Sequence, residues 1–188
     1  MRRSTCRLFA CCVLLGAVWL AERLPASAQE PTGSREARLV AMERLAYMVG
    51  AWEGEGWIER QGTRSVFRGG ERVQSKLGAA VLLVEGLFNA RLPGAEADVP
   101  VHTTLGVIWY DPEAREYRFT TWVAGGGKAE RALELLDDGW RWYLETDGGG
   151  RIRYTMTLTP AGEWFEVGEF SADGQRWAQF FEMTLRRE

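Results

Sequence analysis

From residue 50 to the C-terminus, apolar and polar residues alternate with period two, and the run Gly50-Ala51-Trp52-Glu53-Gly54-Glu55-Gly56 is the clearest case. In a strand this spacing puts Gly50, Trp52, Gly54 and Gly56 on one face and Ala51, Glu53 and Glu55 on the other. Glycine in a strand gives up side-chain packing. A row of it on one face marks a sharp bend or the close approach of a backbone or ligand, as in the first strand of a small closed barrel. Turn signals then divide the chain into about ten strands at 51–61, 64–76, 79–90, 101–110, 116–124, 128–136, 140–146, 151–159, 163–171 and 175–186. The turns between them, such as Asp137-Asp138-Gly139, Asp147-Gly148-Gly149-Gly150 and Ala172-Asp173-Gly174, suit positive φ or a fixed turn. Short successive turns make sequence neighbours antiparallel, so the pattern predicts an all-β, up-and-down barrel. The one long connection, Leu92 to Pro100, is expected to be a mobile loop at the barrel mouth.

Ahead of the strands, Leu39, Met42, Leu45, Met48 and Val49 recur at helical spacing. They predict a short amphipathic helix over 36–48, ended by Gly50 and preceded by a flexible lead-in at 29–35. The barrel domain is thus expected over 36–188. Alternation sorts the barrel faces. Trp140, Trp142 and Leu144, then Ile152, Tyr154, Met156 and Leu158, then Trp177, Gln179, Phe181, Met183 and Leu185 are assigned inward. The same rule turns Phe67, Gly69, Glu71, Val73 and Ser75 inward, with Tyr117, Phe119, Thr121 and Val123. Strand 79–90 is apolar on both faces and gives no orientation.

The first 28 residues change the picture of where the barrel works. Arg2, Arg3 and Arg7 precede an apolar core at Leu8–Leu20, and Ala26-Ser27-Ala28 is a small-residue cleavage site, so the segment is an export signal and the protein is expected in the periplasm or outside the cell. A lipidated start is rejected because almost no apolar residue precedes Cys11. Cys6, Cys11 and Cys12 all lie in this leader, leaving the mature chain without disulfides, thiolate metal sites or a cysteine nucleophile. Its net charge falls from −3 for the whole chain to about −6 after cleavage. That balance argues against nucleic acid and, once the signal is removed, against a membrane as partner.

A short helix, GxWxGxG and about ten antiparallel strands resemble the calycin-like barrels, which include lipocalins, fatty-acid-binding proteins and the haem-binding nitrobindins. More narrowly, Met48 to Gly56, Glu71 to Leu77, Val81 to Gly86 and Phe180 to Leu185 are similar to a bacterial family of exported barrels of unknown function. The resemblance implies a fold and a compartment but no reaction. It also implies that Trp52 packs over one end of the barrel and closes it, with Gly54 and Gly56 making room beside it. Nitrobindins hold haem through a histidine near the C-terminus. This chain has none there, and its single histidine is His102, so haem is the alternative cofactor and none is required by the sequence.

Among the residues turned inward, Glu71, Arg131, Tyr154 and Gln179 are polar. A buried carboxylate opposite a guanidinium can be a satisfied internal pair; alternatively Arg131 and Tyr154 receive the carboxylate of an amphipathic molecule, as interior Arg and Tyr do in fatty-acid-binding barrels. Trp142 and Trp177, with Trp140 and Trp164, either stack on a ligand or fill a wide interior. His102 has no second histidine or carboxylate cluster with it, Ser75 has no matched histidine and acid, and there is no GxSxG. An enzyme is therefore the least favoured class. A binder of a small hydrophobic or amphipathic molecule leads, ahead of a haem barrel and a filled structural module. N-terminal sequencing of exported protein is expected to read from Gln29; a lipid-bearing start at Cys11 or Cys12 would overturn the export reading.

Overall fold

The computed structural model describes residues 32–188. The leader at 1–28 lies outside the described residues. Helix α1 runs Thr32–Glu43, and a single 3-10 turn at Ala46–Met48 follows it. The helix expected at 36–48 therefore begins earlier, within the segment read as a lead-in, and its last turn is tightened and separate. Met42, Leu45 and Met48 of the expected stripe are buried, whereas Val49 is exposed as the chain turns into the first strand. The stripe is used, but as a plug rather than as one continuous helix.

Ten strands follow: β1 Gly50–Arg60, β2 Thr63–Lys76, β3 Val81–Ala90, β4 Val99–Asp111, β5 Glu116–Val123, β6 Gly127–Leu135, β7 Gly139–Glu145, β8 Arg151–Leu158, β9 Trp164–Ser171 and β10 Ala178–Arg187. Each pairs antiparallel with its sequence neighbour, and β1 pairs with β10 to close the barrel. The two ends differ. The α1 end carries the turns after β2, β4, β6 and β8, and the far end carries those after β1, β3, β5, β7 and β9, including the long connection at 91–98.

The α1 end is sealed by aromatic rings. Trp52 is 1% exposed, and its indole Nε1 donates to the Met48 carbonyl at 2.8 Å. Its ring meets Trp164 edge to face at 5.7 Å, and Trp164 meets Trp140 at 6.0 Å. Arg187, at the end of β10, lies over the Trp52 ring at 4.3 Å and donates to the Val49 and Tyr47 carbonyls. Tyr117 on β5 donates to the Ala41 carbonyl at 2.7 Å, tying the helix to the opposite wall. Gly54 and Gly56 make room for their neighbours in the wall, not for the helix. A Cβ at Gly54 would sit 2.0 Å from the Thr184 carbonyl oxygen, and one at Gly56 would meet the Glu182 carbonyl at 2.3 Å and the Phe67 ring at 2.5 Å. The strand bends hard against β10 there, and only glycine fits.

Two departures from simple alternation shape the rest. In β10 the register shifts between Gln179 and Phe181, so Phe180 is an extra residue and everything before it faces the opposite way. Between β6 and β7 the ladder covers only Leu133↔Trp142, Glu134↔Arg141 and Leu135↔Trp140, although β6 begins at Gly127 and β7 runs to Glu145. Toward the far end these two strands part, and β6 is held by β5 alone.

Trp52→Ala is expected to lower stability by about 3–5 kcal/mol, the range for truncating a buried large aromatic, with equilibrium urea unfolding as the measurement. Unchanged stability would mean that the wedge does not close the barrel. Amide exchange is expected to be faster at 127–132 than at 133–135, because the former lack pairing on the β7 side.

Candidate functional site

Above the aromatic seal the barrel encloses a cavity of ≈ 570 Å³. That volume is within the span of small-molecule sites, roughly 300–1,000 Å³. It opens at the far end, where Arg60, Leu92, His102 and Lys128 form the mouth, and its wall is mainly apolar, with Val84, Phe88, Ile108, Phe119 and Leu144. Lys128 and Ala129 on β6 and Leu144 on β7 flank the place where those strands part, so the mouth extends down that side.

Trp142 and Tyr154 form one wall. They are directly paired across β7 and β8, their rings stack at 5.3 Å with an interplanar angle of 19°, and Phe119 meets Trp142 edge to face at 4.9 Å. Phe67, Phe88 and Phe181 make a second aromatic group, with Phe67 stacked on Phe181 at 5.7 Å. The first wall follows from direct cross-strand pairing of large residues, whereas in the second Phe67 and Phe88 are paired with Gly56 and Gly69, whose missing side chains let the rings meet.

At the inner end sit two carboxyl groups. Glu71 is paired with Trp52 on one side and Gly86 on the other. Its Oε2 is sealed from solvent and has no hydrogen-bond partner. A Cβ at Gly86 would come within 2.7 Å of Glu71 Oε1 and 2.5 Å of Thr104 Oγ1, so the glycine reserves space for the carboxyl. Glu166 on β9 is buried and accepts from Trp164 Nε1 at 3.0 Å. Burial pushes Glu71 up to about 8, with the nearby Glu166 charge adding to the rise. Burial also lifts Glu166 to about 7, against the hydrogen bond from Trp164. Tyr154 is pushed up to about 12 by burial and then by Glu166, with Arg60 opposing. His102, reached from the mouth and 6.2 Å from the Phe88 ring, is lowered by desolvation and then by the Arg60 charge.

The structure brings together Glu71, Trp142 and Tyr154 as expected, and it corrects three placements. Trp177 lies outside the barrel, against Tyr143 at 6.3 Å and under the Arg153 guanidinium at 4.1 Å. Gln179 is exposed, and its Nε2 donates to Glu182 Oε2 at 2.8 Å. The bulge at Phe180 reverses both, and the adjacent pair Phe180-Phe181 was the visible break in alternation. Arg131 shares a register position with Phe119, but it lies where β6 has left β7. It is exposed, and its guanidinium donates to the neighbouring Glu130 carbonyl at 2.7 Å. Glu166 escaped notice because its strand was never sorted into faces. Its parity with Trp164, two residues earlier, was the available signal. His102 lines the cavity at its mouth.

Neither a protein-family model nor a curated protein matches this sequence. Among solved structures, the crystal structure of Rv2717c from M. tuberculosis is similar, with a TM-score of 0.56 at 12% identity over 79% of this chain and 97% of that one. The likeness is one of barrel fold.

Because Glu71 and Glu166 hold protons more tightly in the folded chain than in the unfolded one, the stability they contribute is complete below about pH 4.5 and is lost as pH rises through about 7 and 8. His102 has the opposite sign, and its contribution is already complete above pH 6.5. The urea midpoint is therefore expected to fall between pH 6.5 and pH 8 and to level off above it, and Glu71→Gln should flatten that fall. A midpoint that holds constant or rises over this interval would show that the carboxyls are not desolvated.

Proposed function

We propose that this protein is an exported calycin-like barrel that binds a small hydrophobic or amphipathic molecule non-covalently in its interior. The observation that carries the reading is the cavity itself: one end sealed by Trp52 and Trp164, the other open, and a space of ≈ 570 Å³ walled largely by aromatic and aliphatic side chains. Apolar burial supplies affinity in such a site, and a few fixed polar groups supply orientation. The export reading rests on the leader pattern at 1–28 and places the binding in the periplasm or outside the cell.

A tetrapyrrole is the second reading, favoured by the position of His102 on the cavity wall. A lowered pKa keeps its imidazole neutral and able to donate to a metal, and Arg60 and Lys128 at the mouth are the groups that would face anionic substituents. Haem, if held there, would supply axial ligand exchange at its iron. The residues of this chain would contribute the imidazole, the apolar walls and the basic rim.

Uptake of the neutral probe N-phenyl-1-naphthylamine, followed by its fluorescence, tests the first reading. Saturable binding of one probe per chain is expected, weakened tenfold or more by Trp142→Ala and unaltered by Trp177→Ala or Gln179→Leu on the outer face. Absence of uptake would reject it. A Soret band in purified protein that disappears in His102→Ala would put the tetrapyrrole in its place.

A further inference from the structure

The charged groups of the cavity are separated along its axis. Arg60 is the last residue of β1 and Lys128 the second of β6, both exposed at the mouth, while Glu71 and Glu166 lie at the inner end near Trp52 and Trp164. Among the described residues, no ion pair joins either carboxyl to a cation. The Arg60 charge acts on His102 and Tyr154 but is no cause of the shift at either glutamate. Two carboxyls close enough for the Glu166 charge to act on Glu71, one with an unpartnered and sealed oxygen and the other held only by the Trp164 indole N–H, are costly to bury without a cation beside them. Space is also kept for them: Gly86 leaves room for the Glu71 carboxyl.

An anionic head group has no home at this end. Of the cations whose strand parity points inward, Arg131 is exposed where β6 and β7 part and Arg60 stands at the mouth. A cationic head group has both kinds of partner it needs: carboxylates to pair with, and the electron-rich faces of Trp142, Trp164 and Tyr154.

We propose that the inner end of the cavity receives the protonated amine of an amphipathic ligand, with the ammonium between Glu71 and Glu166 and the apolar remainder along Val84, Ile108, Phe119 and Leu144 toward the mouth. This rests on the small-molecule reading above and narrows it to amines. An ammonium stabilises the ionised carboxylates, so binding near neutral pH draws a proton from the pair and releases it to solvent. The other titratable groups lining the cavity are His102, Tyr154, Arg60 and Lys128. At pH 8 Tyr154 holds its proton, His102 is neutral and Glu166 is largely ionised, leaving Glu71 as the main source.

The test is calorimetric titration of the mature protein at pH 8 with three probes of one chain length: dodecylammonium, dodecanol and dodecanoate. Dodecylammonium is expected to bind at least tenfold more tightly than the other two and to release protons, seen as a binding heat that changes with the ionisation enthalpy of the buffer. Glu71→Gln and Glu166→Gln should each lower the ammonium-to-alcohol affinity ratio tenfold or more. If dodecanol or dodecanoate binds as well as the amine, or no proton is released, the amine proposal is overturned and the small-molecule reading stands. If none of the three binds, both fall.

Discussion

The wedge of Trp52 under the Met48 carbonyl decides what the rest of the barrel can be. A ring of ten strands is too wide for side chains to fill evenly, and the interior is divided by where large residues are anchored. Here the anchor is a hydrogen bond of 2.8 Å from an indole that is 1% exposed, covered from outside by Arg187 and from inside by Trp164. Because the bulk is concentrated at the α1 end, the other end is left open. The cavity follows from that asymmetry. So does the low polarity around Glu71 and Glu166, which stand just above the seal and share its exclusion of water.

Curvature is the second requirement, and glycine supplies it where β1 presses against β10. The Gly54 and Gly56 positions face carbonyl oxygens of the neighbouring strand at distances no side chain tolerates. Gly86 acts differently, as clearance for a carboxyl group. These residues answer two separate steric demands, although they look alike in the sequence. The parting of β6 from β7 has a further consequence: it widens the mouth on one side and carries Arg131 out of the interior.

The fold was largely legible because its signals are local. Turn residues mark each hairpin, and period two identifies the buried face of most strands, which is why Trp142, Tyr154 and Glu71 are where alternation puts them. The site was legible only as far as alternation held. One extra residue at Phe180 reverses Trp177 and Gln179, and only the adjacent pair Phe180-Phe181 marks the bulge in the sequence. Of the eight tryptophans after residue 28, Trp52, Trp140, Trp142 and Trp164 face inward, while Trp57, Trp109, Trp122 and Trp177 cover the outer face, often under a cation such as Arg64 or Arg153. Aromatic abundance alone could not separate these groups. Glu166 was hidden because β9 carries Phe165 and Val167 on its outer face, so hydrophobicity does not distinguish its two sides.

At the inner end of this cavity burial raises two carboxyls well above the ordinary carboxylate range. Titration of the glutamate side-chain carboxyls by 13C NMR in the free mature protein measures this directly. Glu71 and Glu166 should titrate near 8 and 7, apart from the remaining glutamates, and both midpoints should fall when a bound ligand occupies the inner end. Midpoints in the ordinary carboxylate range, unmoved by ligand, would mean that water reaches the floor of the barrel and that it is no binding site.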